Sequence, residues 1–500
     1  MPKLRSGAAA IHYRRIVLRT LLSLATAFLL LAIFPKFNLR FLAPVALTPL
    51  LIALARTEQG WQRFLFGWAA GIFYWFFLCT WIEFVLEVHG GMGVFGAWGS
   101  FILFCVLKAL HLAVFSWLAG PLMRRAYAIP AIAALWTGLE RTHGTFGFAW
   151  LALGNAGISM SVPLRVAPFV GVYGVSFVFA MLAAALACVI LRHPRMRLVP
   201  LAALGLLFLL PAIPENIPTS DSALVVQPNI NPNLEWTALL QEKTERELSA
   251  VSDVFQSNLV IWPELPAPLY YYDDREFHDA ATTIARRHGY FLFGTVAYTG
   301  LHQPLNSAVL LGPEGAEIGR YDKIDLVPFG EFVPRAFWFV NRITQEAGDF
   351  APGRDIKVLP AAGHCLGVFI CYESAFPDLV REFSRKGADV LVNLSNDAYF
   401  GHSEAREQHL LLARMRAIEN RRYLIRATND GITAVVNPAG EIIQQLPLYK
   451  EVAAPMRYGV VGPATFYTRH GDWFAWICLA AGVGLSLRDV LRRRQTHKIA

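Results

Sequence analysis

Eight apolar segments limit what this chain can fold into. They cover residues 16–34, 41–55, 64–82, 94–122, 127–139, 170–191, 198–213 and 473–487. Because about 20 apolar residues cross a bilayer as an α-helix, most of these segments are long enough to do so, whereas 41–55 and 127–139 are short. A hydrophobic content of 55% also exceeds that of ordinary soluble enzymes. We therefore predict a polytopic α-helical membrane domain of about eight transmembrane helices.

The basic residues predict how the chain is oriented in the membrane. The formal net charge is +8, which in a soluble protein would suggest nucleic-acid binding. Here the charge lies in short loops after alternate apolar segments: Arg56, Arg63, Arg124, Arg125, Arg192, Arg195, Arg197 and Arg488. By the positive-inside rule, both termini are cytoplasmic and residues 214–472 lie outside, although Lys36 and Arg40 run against this assignment. We expect a membrane protein with a large outer domain and no nucleic-acid partner.

The sequence divides into three parts: residues 1–213 with seven spans, an outer domain at 214–472, and a last span with a basic tail at 473–500. The outer part alternates strand and helix patterns, which is typical of a layered α/β domain. Strands are predicted at 223–226, 259–262, 290–296, 307–311, 366–370, 390–394 and 433–436. Helices are predicted at 235–253, 275–288, 377–387 and 404–421.

Three reactive side chains lie where apolar strands end or in the loops just after them. Glu264 follows the run LVIWP, Lys323 lies in RYDKID, and Cys371 follows LGVFI. A carboxylate can accept a thiol proton, an ammonium can stabilise an oxyanion, and a thiolate can be acylated. Because a helix begins soon after Cys371, its N-terminus is expected to favour the thiolate. The alternative is that Cys371 is a buried small hydrophobic residue, as most unpaired cysteines are.

The motifs WPE (262–264), YDK (321–323) and CYES (371–374) resemble the Glu-Lys-Cys motifs of the nitrilase, or carbon–nitrogen hydrolase, superfamily. The strings PFGEFVP, SNDAYFG and ARMRAIEN, with the flanking apolar segments, resemble its apolipoprotein N-acyltransferase branch. The resemblance implies a four-layer α-β-β-α sandwich. It also implies a catalytic set of Glu264, Lys323 and Cys371.

The same resemblance implies roles for further residues. Glu331 matches a second essential glutamate, and Tyr372 and Glu373 are expected to supply backbone donors or hydrogen bonds beside the thiol. Trp236 and Asn306 match positions near the site, where they are expected to contact substrate. The implied donor is a membrane phospholipid and the implied acceptor is an S-diacylglyceryl apolipoprotein. The implied location is the bacterial inner membrane, with the outer domain in the periplasm. No cofactor is implied, and we expect a monomer.

Aromatic loops add candidates for lipid binding. There are two such loops: residues 336–340, which include Phe337 and Trp338, and residues 270–272. They either enter the membrane interface or pack over the core, and the sequence leaves both interpretations open. Lys108 and His111, about one helical turn apart, either line a headgroup or peptide cavity or form a satisfied pair inside the helix bundle.

Two other functions stay open at this level, and two kinds of site are not expected. A membrane-tethered amidase would use the same three residues with water as acceptor, and a lipid-binding scaffold would need no thiol. The histidines show no metal-ligand spacing, so no metal site is predicted. Cys365 and Cys371 flank one strand, which places them too far apart for a disulfide.

Overall fold

This computed structural model describes residues 2–214, 217–231, 234–328, 330–332 and 350–499, with side chains from residue 12 to residue 489. The chain forms two compact units. One contains the residues up to Thr80, Trp98–Ala212 and the chain from Asp472. The other contains Ile213–Gly471 together with Trp81–Ala97. A short early segment thus belongs to the same unit as the predicted outer domain.

The first unit is helical. Its α-helices are Pro2–Ala32, Thr48–Ala55, Gly60–Leu78, Leu110–Leu122, Ala128–Thr145, Ser161–Leu164, Ala167–Ile190 and Trp473–Ile499, with most of Gly93–Lys108. The short helices Trp81–Phe84 and Phe466–His470 belong to the second unit. Three stretches of the described chain are long and apolar enough to cross a membrane, or four if Gly60–Leu78 and Trp81–His89 form one span. Residues 198–213, predicted as a span, lie largely in a 3₁₀ helix, Arg195–Leu209. The number of eight transmembrane helices stays a prediction.

Small residues let these helices approach closely. A Cβ added to Gly67 would lie 2.4 Å from the carbonyl oxygen of Leu112, so the helices Gly60–Leu78 and Leu110–Leu122 touch through backbone. Gly138 is equally close to Leu479, which brings Ala128–Thr145 against the C-terminal helix. Such contacts are typical of helix pairs in membranes.

The second unit contains two six-stranded sheets. The first sheet has the order β12-β1-β2-β3-β4-β5, and the second has β11-β10-β9-β8-β7-β6. β1, β2 and β3 are parallel, as are β7, β8 and β9, and the outer strands of both sheets are antiparallel. The strands are β1 Asp221–Gln227, β2 Val260–Ile261, β3 Phe291–Tyr298, β4 Pro304–Leu311, β5 Glu317–Asp322, β6 Leu359–Ala361, β7 His364–Ile370, β8 Val390–Ser395, β9 Tyr423–Thr428, β10 Ala434–Val436, β11 Ile442–Gln445 and β12 Val452–Tyr458.

Helices cover the outer face of each sheet. Ala238–Ser252 and Arg275–His288 pack on the first sheet, where Trp262, Phe277, Phe291 and Phe293 lie in one buried core. Pro377–Arg385 contacts β7 and Ala405–Asn420 contacts β9 of the second sheet, and the two sheets contact each other. The prediction of an α/β domain is therefore confirmed, with the layers in the order helix, sheet, sheet, helix.

All seven predicted strands and all four predicted helices of this domain are present. Five strands were missed: β5, β6, β9, β11 and β12. β5 carries Glu317, Arg320 and Asp322, and β9 has Arg426 inside an apolar run, so neither shows a clean alternation of polar and apolar residues.

Candidate active site

The carboxylate of Glu264 lies just beyond β2 and is largely buried, with 7% of the residue exposed. Its Oε1 accepts hydrogen bonds from Lys323 Nζ at 3.1 Å and Asn306 Nδ2 at 2.8 Å. Its Oε2 accepts one from the backbone N–H of Asn396 at 3.0 Å. Three donors therefore fix this carboxylate.

Lys323 follows β5 and is 1% exposed. Its Nζ donates to Glu264 at 3.1 Å and to Glu331 at 2.9 Å. Burial lowers the pKa of this amine, but the two carboxylates outweigh burial and hold the pKa well above its usual value. The side chain is thus a buried ammonium at neutral pH.

Cys371 is the first residue after β7 and opens a 3₁₀ helix, Cys371–Ala375. Its φ of +49° is left-handed, which is uncommon for a residue with a Cβ and costs about 1–3 kcal/mol. Burial raises the pKa of the thiol, the charge of Glu264 raises it further, and Lys323 lowers it. The pKa of the thiol therefore lies above its usual value, so the thiolate that a helix N-terminus was expected to favour is not the main form at neutral pH.

Glu331 and Asn306 connect the carboxylates to the ammonium. Asn306 Nδ2 donates to Glu264 Oε1 and, at 2.6 Å, to Glu331 Oε1. Glu331 Oε2 accepts from the backbone N–H of Val327 at 2.8 Å. The structure therefore brings together four of the predicted residues directly: Glu264, Asn306, Lys323 and Glu331.

Glu373 faces the loop that carries Lys323. Its carboxylate accepts hydrogen bonds from Tyr321 Oη at 2.6 Å, from Ile324 N at 2.7 Å and from Ile370 N at 2.7 Å. Burial raises the pKa of Glu373 to about 7. The contacts of this carboxylate join the turn after β7 to the loop after β5.

The other predicted residues lie elsewhere or outside the described residues. The ring of Tyr372 is buried and packs edge-on against Phe376 at 5.1 Å. Trp236 packs against the core of the first sheet, so its predicted contact with substrate stays a prediction. Phe337 and Trp338 lie outside the described residues.

In the helical unit, Lys108 and His111 both have protein partners. Lys108 Nζ donates to the carbonyl of Phe148 at 2.6 Å and lies 5.4 Å from the ring centroid of Trp75. His111 Nε2 is 3.2 Å from Thr142 Oγ1. These contacts favour the pair inside the helix bundle over the cavity.

Several residues at the site were not singled out from the sequence, although their motif SNDAYFG was. The ring of Tyr399 stacks on His89, with centroids 4.1 Å apart, and its phenol is so close to Gly330 that an added Cβ would lie 2.3 Å from the oxygen. Asp397 and His409 lie buried behind Cys371. Position in the motif could have marked Asp397 and Tyr399, whereas His409 lies outside SNDAYFG and nothing in the sequence marks it.

The arrangement suits covalent thiol chemistry. The buried carboxylate of Glu264 raises the pKa of the Cys371 thiol, and the buried ammonium of Lys323 lowers it. Hydrogen bonds to neighbouring side chains hold both groups in place. In the described part of the chain, no group of three or more His, Cys, Asp or Glu side chains is arranged to hold a metal ion.

Comparison with known proteins covers both units. The family model described as carbon-nitrogen hydrolase matches residues 222–455, and the apolipoprotein N-acyltransferase N-terminal domain matches residues 26–185. An amidase from Nesterenkonia sp. is similar in structure at 19% identity and a TM-score of 0.37, over 49% of this chain and 92% of that one, which is too low to support an argument.

Relatives of similar length match nearly the whole chain. An apolipoprotein N-acyltransferase of Geobacter metallireducens is 33% identical over 95% of this chain and 96% of its own length. One from Nitrosomonas europaea is 32% identical over 93% of this chain and 96% of its own length. With both parts matched by their family models and the full length matched by these relatives, the chain belongs to the apolipoprotein N-acyltransferase family.

Proposed function

We propose that this protein transfers a fatty acyl chain from a membrane phospholipid to an apolipoprotein during lipoprotein maturation. The acceptor is the α-amino group of the N-terminal S-diacylglyceryl cysteine. Family membership supports the substrates, and the joint contact of Lys323 with Glu264 and Glu331 beside a buried thiol carries the chemistry.

The first half-reaction acylates Cys371. Because burial and Glu264 keep the thiol protonated, a base has to remove its proton during attack, and Glu264 is the carboxylate whose charge reaches the thiol. The sulfur attacks the ester carbonyl while Lys323 stabilises the oxyanion. The ester C–O bond then breaks, the alkoxide takes the proton from Glu264, and the lysophospholipid leaves behind a thioester.

The second half-reaction discharges the thioester. The α-amine of the acceptor attacks the acyl carbon and gives its proton to Glu264, an amide forms, and the C–S bond breaks. The thiolate recovers its proton from Glu264, which restores the resting state. Apolar surroundings must keep water from the thioester between the two steps. Glu331 and Asn306 hold Lys323 and Glu264 in place, and Glu373 holds the loop that bears Lys323.

We further propose an inner-membrane location with both termini cytoplasmic, the α/β domain periplasmic, and a monomeric protein. The three apolar stretches long enough to span a bilayer and the loop charges support the membrane assignment.

The experiment is an intact-mass measurement of the purified protein after incubation with phospholipid and no acceptor. We expect one added acyl mass that neutral hydroxylamine removes and a diacylglyceryl-cysteine peptide discharges. Cys371→Ser should lack the thioester. Cys365→Ser, at the other end of the β7 region, is the matched control and should retain it.

Each alternative function has its own result in this experiment. An adduct that water clears as fast as the peptide does would indicate a membrane-tethered amidase or hydrolase. No adduct under conditions in which the lipid binds would indicate a lipid-binding scaffold.

A further inference from the structure

The backbone at Cys371 is held in an unfavourable conformation by a buried polar network. The left-handed φ of +49° is costly for cysteine, so neighbouring contacts must maintain it. One such contact is made by its carbonyl oxygen, which lies 2.8 Å from Nε2 of His409. His409 comes from the helix Ala405–Asn420, which covers the second sheet.

The other side of the His409 ring is also fixed. Nδ1 is 3.0 Å from Asp397 Oδ1 and 3.1 Å from Arg426 Nη2. Arg426 Nη2 in turn donates to both oxygens of Asp397, at 2.8 and 2.7 Å. All three side chains are fully buried. Since Nε2 faces a carbonyl, it carries a proton in both protonation states of the ring. In the neutral ring, Nδ1 accepts from Arg426, and in the charged ring, Nδ1 donates to Asp397.

Asp397 also reaches the thiol by a second route. Ser395, at the end of β8, donates its hydroxyl proton to Asp397 Oδ1 at 2.9 Å. The same side chain forms a hydrogen bond with Cys371. Asp397 is therefore linked to the backbone of Cys371 through His409 and to its sulfur through Ser395.

We propose that His409 is a positioning residue for the nucleophile, held in place by Asp397 and Arg426. Its N–H fixes the carbonyl of Cys371 and, with it, the left-handed turn that directs the sulfur. This inference rests on the proposed function only for the identity of the reaction, since the reactivity of the sulfur towards iodoacetamide can be measured without substrate.

The test compares His409→Asn with His409→Gln in the full-length protein. Asn shortens the side chain and removes the donor at Nε2, whereas Gln retains an N–H at a similar reach. His288→Gln is the matched control, because the buried side chain of His288 lies 3.2 Å from an aspartate, Asp253, among the helices that cover the first sheet. Two readouts are the rate of thioester formation with phospholipid and the pH profile of Cys371 alkylation by iodoacetamide.

We expect His409→Asn to slow thioester formation by about 100-fold, the size of effect that a misplacement of about 1 Å produces. Its alkylation profile should shift, His409→Gln should recover most of both, and His288→Gln should leave both unchanged. If His409→Asn acylates and alkylates like the unaltered protein, the inference is overturned.

Loss of folding gives a different pattern from loss of positioning. A His409→Asn protein that melts at the normal temperature but acylates slowly supports positioning. If His409→Gln acylates as slowly as His409→Asn, or if His409→Asn loses activity only in proportion to its folded fraction, the positioning role is contradicted. If the unaltered protein forms no thioester at all, the proposed function fails, and the alkylation profiles still decide the role of His409.

Discussion

Glu264 affects the Cys371 thiol in two opposed ways, and one substitution separates them. Its negative charge raises the pKa of the thiol, which lowers the amount of thiolate, yet the same carboxylate is the proposed proton acceptor. In Glu264→Gln, Lys323 still lowers the thiol pKa. Alkylation of Cys371 by iodoacetamide should therefore reach its half-maximal rate at a lower pH.

Acylation of the same variant should become slower, although its thiol loses a proton more readily. Removing a general base typically costs 10²–10⁴-fold, so thioester formation by Glu264→Gln should fall by about 100-fold or more in the intact-mass assay. The control is Glu242→Gln, because Glu242 lies on an outer helix with 45% of its side chain exposed. Parallel changes in alkylation and acylation would argue against the role given to Glu264.

Single residues were also where the sequence was most and least informative. Glu264 and Cys371 could be predicted because each follows an apolar strand within a recognisable motif, whereas Lys323 follows the polar strand β5 and was marked by the motif YDK alone. The pKa of Cys371 could not, because it depends on burial and on a carboxylate more than 100 positions earlier in the chain. His409 was considered only as a metal ligand, and its contact with a backbone carbonyl leaves no pattern in the sequence.

At the scale of elements, Glu373 joins two loops from different sheets. Its carboxylate accepts from the backbone of Ile324 after β5 and of Ile370 at the end of β7. Glu373→Gln replaces one acceptor oxygen with an NH₂ group that faces an N–H donor. We expect the Lys323 loop to shift and thioester formation to fall by about 100-fold, with the protein still folded by circular dichroism.

The control for this prediction is Glu382→Gln, on the helix Pro377–Arg385, whose carboxylate pairs with arginines instead of backbone groups. It should acylate normally. A Glu373→Gln protein with normal acylation would show that the loop after β5 holds its position without this carboxylate.

Close helix contacts give a prediction for the helical unit. In Gly67→Ala, the added Cβ would lie 2.4 Å from the Leu112 carbonyl oxygen, so the helices Gly60–Leu78 and Leu110–Leu122 have to separate. Overpacking of this kind costs about 1–3 kcal/mol, which should lower the melting temperature in detergent.

Gly99→Ala is the matched control for this contact, since nothing lies within 4 Å of its added Cβ and alanine favours a helix. It should melt at the normal temperature or slightly above it. Equal melting temperatures for the two variants would contradict the close approach at Gly67.

Elements also show why some predictions succeeded. Strands with continuous apolar runs, such as β7 and β8, were found from sequence because both faces are buried. Residues 198–213 were predicted as a span from composition, which does not distinguish an α-helix from the 3₁₀ helix Arg195–Leu209, and the span itself stays a prediction.

At the scale of the whole molecule, the proposed orientation can be tested by cysteine labelling in intact cells. In a Cys365→Ser background, Leu301→Cys places a thiol at a site that is 85% exposed in the α/β unit. Arg195→Cys places one at the exposed start of the 3₁₀ helix Arg195–Leu209, on the side predicted to be cytoplasmic. A membrane-impermeant maleimide that passes the outer membrane should label Leu301→Cys in intact cells, and Arg195→Cys only after the inner membrane is opened. The reverse pattern would invert the proposed topology.

The early segment Trp81–Ala97 has a consequence for how the protein is made. His89 stacks on Tyr399, and Trp81 contacts Phe400. The partners in each contact are about 300 residues apart in the chain. At a synthesis rate of about 5–20 residues per second, the segment leaves the ribosome roughly 15–60 seconds before its partners exist. During that interval its aromatic side chains lack their native partners, so the segment can reach its final packing only after most of the α/β domain has been synthesised.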